Sequence, residues 1–206
     1  MTPPDALLDS WQSAWHGLGA QGDGQALREA LWAAYAEPQR RYHSQQHLLE
    51  CLQLLESVRH LTPEPAAITI ALWFHDAIYE LLGKDNETRS AAWAAQALRD
   101  AGAPSHRAEQ VQRLVLATRH QASPQAEDEA WLVDIDLAIL GAEPARFAEY
   151  EAQIRAEYGF VPETLFRTKR AEVLRAFLER PFIYSSAHFR AQLEEQARAN
   201  LRRALA

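Results

Sequence analysis

An apolar run ends in a histidine and an aspartate at Ile70-Ala71-Leu72-Trp73-Phe74-His75-Asp76. A charge buried at such a position is costly unless it is paired or coordinates a metal. Two other segments offer the same residue types. His43 and His47 lie four positions apart upstream, and Asp134 and Asp136 lie inside a second apolar run downstream. Together these segments supply the imidazole and carboxylate ligands of one catalytic metal centre.

Around this stretch, apolar residues recur at helical spacing, and Gly and Pro fall between the periodic segments. The pattern predicts helices over approximately 5–16, 26–36, 42–60, 65–79, 87–101, 105–120, 129–141, 144–158, 164–180 and 187–206. We therefore expect an all-α fold of about nine or ten helices. It would form a single domain over residues 1–206, with N-terminal helices at 5–36, a metal-binding core at about 40–141 and C-terminal helices at 144–206.

Composition narrows the class of protein and of partner. A chain of 206 residues with 48% hydrophobic content can bury one sizeable core, and its net charge of −7 argues against a nucleic-acid polymer as partner. The single cysteine, Cys51, fits a reducing cytosol. The start of the chain has no signal-peptide pattern, and no run approaches the roughly 18 apolar residues of a membrane span. We expect a cytoplasmic protein with no membrane partner.

The predicted helices constrain how the ligands can meet. His43 and His47 are one turn apart on the helix predicted at 42–60, so both project from one side. Adjacent residues on a helix point about 100° apart, so His75 and Asp76 can share a metal only at a helix end or distortion. Their place just before a predicted loop meets that requirement.

The same residues carry a family resemblance. His47, His75-Asp76 and Asp136 match the H…HD…D pattern of the HD-domain superfamily of metal-dependent phosphohydrolases. The segment 42–47 resembles the Y-H-N-x-x-H segment of cyclic-nucleotide phosphodiesterases, with Ser44 at the Asn position, and 134–137 resembles the family's D-A-D-L segment. Over nearly its whole length the chain is similar to a bacterial group described as predicted metal-dependent HD phosphohydrolases.

The resemblance implies a ligand set and a cofactor. Asp136 is chosen over Asp134 because the second aspartate precedes the Leu in the matching pattern. Asp134 would then support the ligands or lie on the helix surface. The implied cofactor is one or two divalent cations, of Mn, Fe, Co, Ni, Zn or Mg. The implied ligands are His47, His75, Asp76 and Asp136.

Three further residues are predicted to act in catalysis. The resemblance makes His43 the general acid for the leaving oxygen, and a structural histidine is the alternative. Glu87 and Glu80 would orient water or bind a second metal. For Glu87 the alternative is a charge that the helix dipole favours at a helix N-terminus.

Basic residues near the motifs are predicted to contact substrate phosphate. For most of them the alternative is a solvated surface charge, and for His120 it is a helix-capping role or a ligand to a second metal. The predicted contacts are Arg41, Lys84, Arg119, His120 and Arg170.

The resemblance implies a phosphohydrolase, either a phosphomonoesterase or a phosphodiesterase. Its partner would be a small phosphorylated metabolite or nucleotide, cleaved by attack of metal-bound water on phosphorus. Two alternatives stay open: a non-catalytic nucleotide-sensing module that uses the same metallated pocket, and a di-iron oxygenase of the HD type. A homodimer is also left open.

Overall fold

Ten α-helices form the protein in a computed structural model that describes residues 5–206. No strand occurs within this range, which confirms the predicted all-α class and helix number; residues 1–4 of the predicted domain lie outside it. Short 3-10 turns follow the third helix at Arg59–Leu61 and the seventh at Leu137–Gly141. The helices are α1 (Asp5–Gly17), α2 (Gln25–Ala34), α3 (Gln45–Val58), α4 (Pro65–Phe74), α5 (Asn86–Asp100), α6 (Ser105–Ala117), α7 (Glu127–Asp136), α8 (Pro144–Glu157), α9 (Glu163–Leu178) and α10 (Ala187–Leu205).

Helix α4 lies at the centre of the core. Every residue from Ala67 to Phe74 is buried, as expected for a helix that is apolar on all sides. It packs against α1, α3, α5, α6 and α7. No described helix is both long and apolar enough to cross a membrane. The apolar run that precedes His75 is therefore a core element.

Contacts between tryptophan rings pack α1 against α4. The rings of Trp11 and Trp15 stack with centroids 5.2 Å apart, and Trp11 meets Trp73 edge-on at 5.4 Å. Such aromatic pairs add about 0.5–1.5 kcal/mol each beyond the area they bury. This packing holds the α4 end that carries the His-Asp pair against a rigid neighbour.

Several predicted helix ends differ from the structure, and two of them lie beside the site histidines. Helix α3 begins at Gln45 rather than near residue 42, and α4 ends at Phe74 rather than near residue 79. The backbone N–H groups of residues 41–43 donate to the Glu157 carboxylate. The carbonyls of residues 43, 76 and 77 accept from Arg40. The N–H groups of a helix's first turn have no partner within the helix, so the contacts with Glu157 do not by themselves end α3. A helix from residue 42 would need Gln45 N–H to donate to the carbonyl of residue 41, but it donates to the Tyr35 carbonyl over 3.1 Å. After Phe74, the N–H groups of Asp76 and Ile78 donate to the Tyr35 hydroxyl and to Ser90 Oγ rather than to carbonyls four residues earlier.

Candidate metal centre

Three helix ends bring the predicted ligands together. His47 lies in the first turn of α3, His75 directly follows α4, and Asp136 is the last residue of α7. His47 Nε2 lies 3.0 Å from His75 Nε2 and 3.2 Å from Asp136 Oδ1. These three residues form a group that could hold a metal ion, and both histidines are buried.

The fourth predicted ligand lies beside this group. Asp76 Oδ2 is 3.1 Å from His75 Nε2 and 3.7 Å from His47 Nε2. Ligand atoms about 2.1 Å from one cation are about 3.0–3.4 Å apart in octahedral or tetrahedral geometry. The separations among His47, His75 and Asp136, from 3.0 to 3.6 Å, lie close to that range, so these three residues could hold a divalent cation, and Asp76 lies beside the group rather than within it.

Hydrogen bonding outside the group orients His75. Its Nδ1–H donates to the Leu72 carbonyl over 2.7 Å, which directs Nε2 toward the other ligand atoms. The buried Tyr35 hydroxyl lies 3.4 Å from the same Nδ1 and accepts the backbone N–H of Asp76 over 3.2 Å. One turn of backbone and one tyrosine thus fix both members of the His-Asp pair.

The electrostatics of the group favour positive charge. Burial alone would raise the pKa of Asp76, but His75 and His43 hold it far below its usual value. Burial likewise opposes ionisation of Asp136, yet a hydrogen bond from His120 and the nearby His47 keep its pKa well below the usual range. The His75 pKa, which burial would lower, rises to about 9 beside Asp76. Two ionised carboxylates therefore hold positive charge at this buried point, here as a proton on His75 that a bound metal would displace.

His43 is held by a carboxylate that the sequence analysis did not single out. Its Nδ1 lies 2.8 Å from Oε2 of Glu157, a residue only 3% exposed at the end of α8. The Tyr79 hydroxyl donates to the same oxygen over 3.0 Å, and the Tyr79 and His43 rings stack at 4.2 Å. With Nδ1–H donated to Glu157, Nε2 of His43 is the ring atom available for proton transfer.

The contact between Glu157 and His43 shifts the pKa of both groups. Burial would raise the pKa of Glu157, but His43 and the backbone N–H groups around it lower that pKa to about 2. Burial would lower the pKa of His43, and Asp76 and Glu157 together raise it. His43 was predicted on α3; it lies instead in the turn before that helix, where Glu157 positions it.

A cavity of about 480 Å³ opens beside the group and is lined by His43, Asp76 and Asp136. We call it the cleft. Glu80 and Glu87 also line it. The Glu80 carboxylate is mostly exposed and accepts from Arg89 over 2.6 Å, whereas Glu87 is half-buried in the first turn of α5.

The predicted phosphate contacts divide into two groups. Arg119, His120 and Arg170 line the cleft, whereas the exposed Arg41 and Lys84 do not. Arg119 donates to the Thr88 hydroxyl. Arg170 is paired with Glu151, so its charge is already balanced within the protein. His120 adopts a positive φ of 55° and places Nε2 3.0 Å from Asp136 Oδ2.

Comparison of the chain with protein-family models, with curated proteins and with solved structures found no match.

Proposed function

We propose that the chain is a metal-dependent phosphohydrolase of the HD-domain superfamily. The order of its motifs along the chain supports the family. The observation that supports the activity is that His47, His75 and Asp136 meet beside the cleft, with Asp76 next to them. His43, which is hydrogen-bonded to Glu157, lines the same cleft. The substrate would be a small phosphorylated metabolite or nucleotide.

The proposed chemistry combines metal activation with proton transfer. When bound, a divalent cation lowers the pKa of water and polarises a phosphoryl oxygen. His47, His75, Asp76 and Asp136 would hold it. The protein then has to supply a proton to the departing oxygen and to position the phosphoryl group.

His43 is the proposed proton donor. It lines the cleft, and Glu157 fixes its Nδ1 while Tyr79 packs flat against its ring. A ring held on one nitrogen and one face keeps its other nitrogen in a single direction, which is what a general acid needs. Glu157 acts through His43 and is a positioning residue.

One contact favours the two-metal alternative. His120 Nε2 lies 3.0 Å from Asp136 Oδ2, the carboxylate oxygen opposite the one that faces His47. A carboxylate with a histidine at each oxygen has the arrangement of a bridging ligand. Two iron ions per chain and a visible absorption band would favour the oxygenase instead.

The test is metal content and hydrolysis measured on the same tag-free protein. Wild type, Asp76→Ala and the exposed control Asp9→Ala would be analysed for bound metals, reconstituted with each divalent cation, and assayed on aryl phosphomonoesters and phosphodiesters. We expect metal and hydrolysis in wild type and Asp9→Ala, and neither in Asp76→Ala. A metal-loaded wild type that binds nucleotide without releasing phosphate or alcohol would favour the sensing module.

A further inference from the structure

We infer that Arg180 binds the anionic group of the substrate in the cleft, and that the ligand is an organic phosphate with an apolar or planar body. The inference rests on the proposed function, because it adds an anion-binding residue to the proposed metal site. Arg180 lines the cleft two residues after the end of α9.

Two contacts fix the Arg180 guanidinium. Its Nη2 donates to the His120 carbonyl over 2.9 Å, and its central carbon lies 4.5 Å from the centroid of the Phe177 ring. A guanidinium has five N–H donors in a planar fork. The described residues engage one of them, so the fork is held in place with donors left for a ligand.

The charge of Arg180 is not balanced by the described part of the chain. Arg170, on α9, pairs with Glu151. For Arg180 the only cause of its lowered pKa is burial, with no contribution from a carboxylate. A half-buried cation without a counterion is costly, and an anion bound beside it would offset that cost. A guanidinium also matches the bidentate geometry of phosphate.

The position of Arg180 suits an anion that also reaches the metal centre. The residue whose carbonyl it binds, His120, contacts Asp136 through its side chain. Asp76 and Asp136 together carry the two negative charges that balance one divalent cation. A phosphate group at that centre therefore needs further positive charge, which Arg180 and the neighbouring Arg119 supply from the cleft wall.

The other residues that line the cleft indicate the chemistry of the part of the ligand beyond its phosphate group. Apolar side chains of α9 and of the 3-10 turn after α7 line the cleft beyond the arginines. An apolar lining favours an apolar or aromatic group over a highly hydroxylated one. The lining residues of this kind are Leu137, Ile139, Leu140, Val173, Ala176 and Phe177.

The test is binding of inorganic phosphate and phenyl phosphate to metal-loaded protein, measured by calorimetry. Arg180→Gln removes the charge but keeps an N–H for the His120 carbonyl, so it separates anion binding from support of the backbone. We expect both ligands to bind Arg180→Gln about tenfold or more weakly, with a shallower salt dependence. Arg175→Gln, an exposed change on α9 outside the cleft, should bind as wild type does. Metal content and melting temperature should be unchanged in both variants, and phenyl phosphate should bind wild type more tightly than inorganic phosphate.

Equal phosphate affinity in wild type and Arg180→Gln would overturn the inference, as would failure of wild type to bind phosphate at all. Loss of metal in Arg180→Gln would also overturn it, because the residue would then serve the structure of the centre. Phenyl phosphate binding no tighter than inorganic phosphate would refute the apolar body. Phosphate binding that depends on Arg180, in a metal-loaded protein that hydrolyses no phosphate ester, would leave the anion site standing and refute the hydrolase.

Discussion

Asp134 and Asp136 lie two residues apart on α7 and serve opposite sides of it. Asp136 Oδ1 is 3.2 Å from His47 Nε2, inside the metal centre. The fully buried Asp134 accepts the backbone N–H groups of Ser185 and Ser186 over 2.8 and 2.7 Å, just before α10. Residues two apart on a helix point about 200° away from each other, so one aspartate faces the candidate metal group while the other accepts hydrogen bonds from the segment before the C-terminal helix.

Asparagine at these two positions should give opposite results. Asp136→Asn should lose most of the bound metal, because a neutral amide replaces a charged ligand. Asp134→Asn should keep the metal but lose about 1–3 kcal/mol of unfolding free energy, because its NH₂ faces a backbone N–H. Elemental analysis and urea unfolding of both variants check this. Metal loss in Asp134→Asn with a stable, metal-replete Asp136→Asn would show that the ligand was assigned to the wrong aspartate.

Arg40 joins the turn that carries His43 to the segment that carries Asp76. Its fully buried side chain donates to the carbonyls of Asp76, Ala77 and His43 over 2.6, 3.0 and 3.2 Å. Replacement by Met leaves these carbonyls without their donor. We therefore expect Arg40→Met to lose about 2–4 kcal/mol of unfolding free energy and to bind metal about 10–100-fold more weakly.

The matched control for Arg40 is Arg99→Met, an exposed change in the last turn of α5. It removes the same charge without touching the metal centre. Metal titration and denaturant unfolding should show weaker metal binding and a lower unfolding free energy in Arg40→Met, and wild-type values of both in Arg99→Met. If both variants bind metal as wild type does, Arg40 does not position the ligands.

Helical periodicity predicted the helices, because it depends on short-range patterns, whereas the family resemblance predicted that His47, His75 and Asp136 come together. The apolar run before His75 could only be a core helix, and the His-Asp pair had to lie at its end. Glu157 and Arg40 were missed because their contacts join residues 114 and 36 positions apart. Nothing in the sequence near either residue marks them as partners of His43 or Asp76.

Contacts between distant parts of the chain also explain why the predicted start of α3 is wrong and why the lining of the cleft could not be predicted. The segment containing His43 has helical spacing, but Gln45 N–H donates to the Tyr35 carbonyl rather than to the carbonyl four residues earlier. Basic residues near a motif were predicted to contact phosphate, yet Arg41 and Lys84 lie outside the cleft lining. Arg180 lines the cleft from a segment with no motif of its own. Closeness to a motif in the sequence therefore predicts candidate metal ligands at helix ends better than it predicts the residues that line a cleft.

His43→Gln should lower kcat without changing metal content. A general acid contributes about 10²–10⁴-fold to rate when the leaving group is strongly basic. The loss should shrink on aryl phosphate esters, whose leaving groups depart without a proton. His60→Gln, an exposed change at the end of the α3 region, serves as the control. A rate loss that is independent of the leaving group would rule out proton donation by His43.

Glu157 should stabilise the fold in a pH-dependent way. Its pKa is about 2 in the folded protein, below the ordinary value of 4.5 expected when unfolded. A carboxylate with a lowered folded pKa stabilises the fold above its unfolded pKa, and that contribution is lost as pH falls through the folded pKa. Glu157→Gln should therefore lose up to about 3 kcal/mol of unfolding free energy at neutral pH.

The difference between wild type and Glu157→Gln should then narrow as pH falls from about 4.5 toward 2. Urea unfolding across that interval and at neutral pH measures this difference in unfolding free energy. The control is the exposed change Glu109→Gln, which should leave the unfolding free energy unchanged at both low and neutral pH. Glutamine still offers one oxygen to the backbone N–H groups of residues 41–43, so the pH-dependent part measures how the carboxylate charge interacts with His43 and with these N–H groups. A loss of the same size at every pH would mean that Glu157 acts through hydrogen-bond geometry alone.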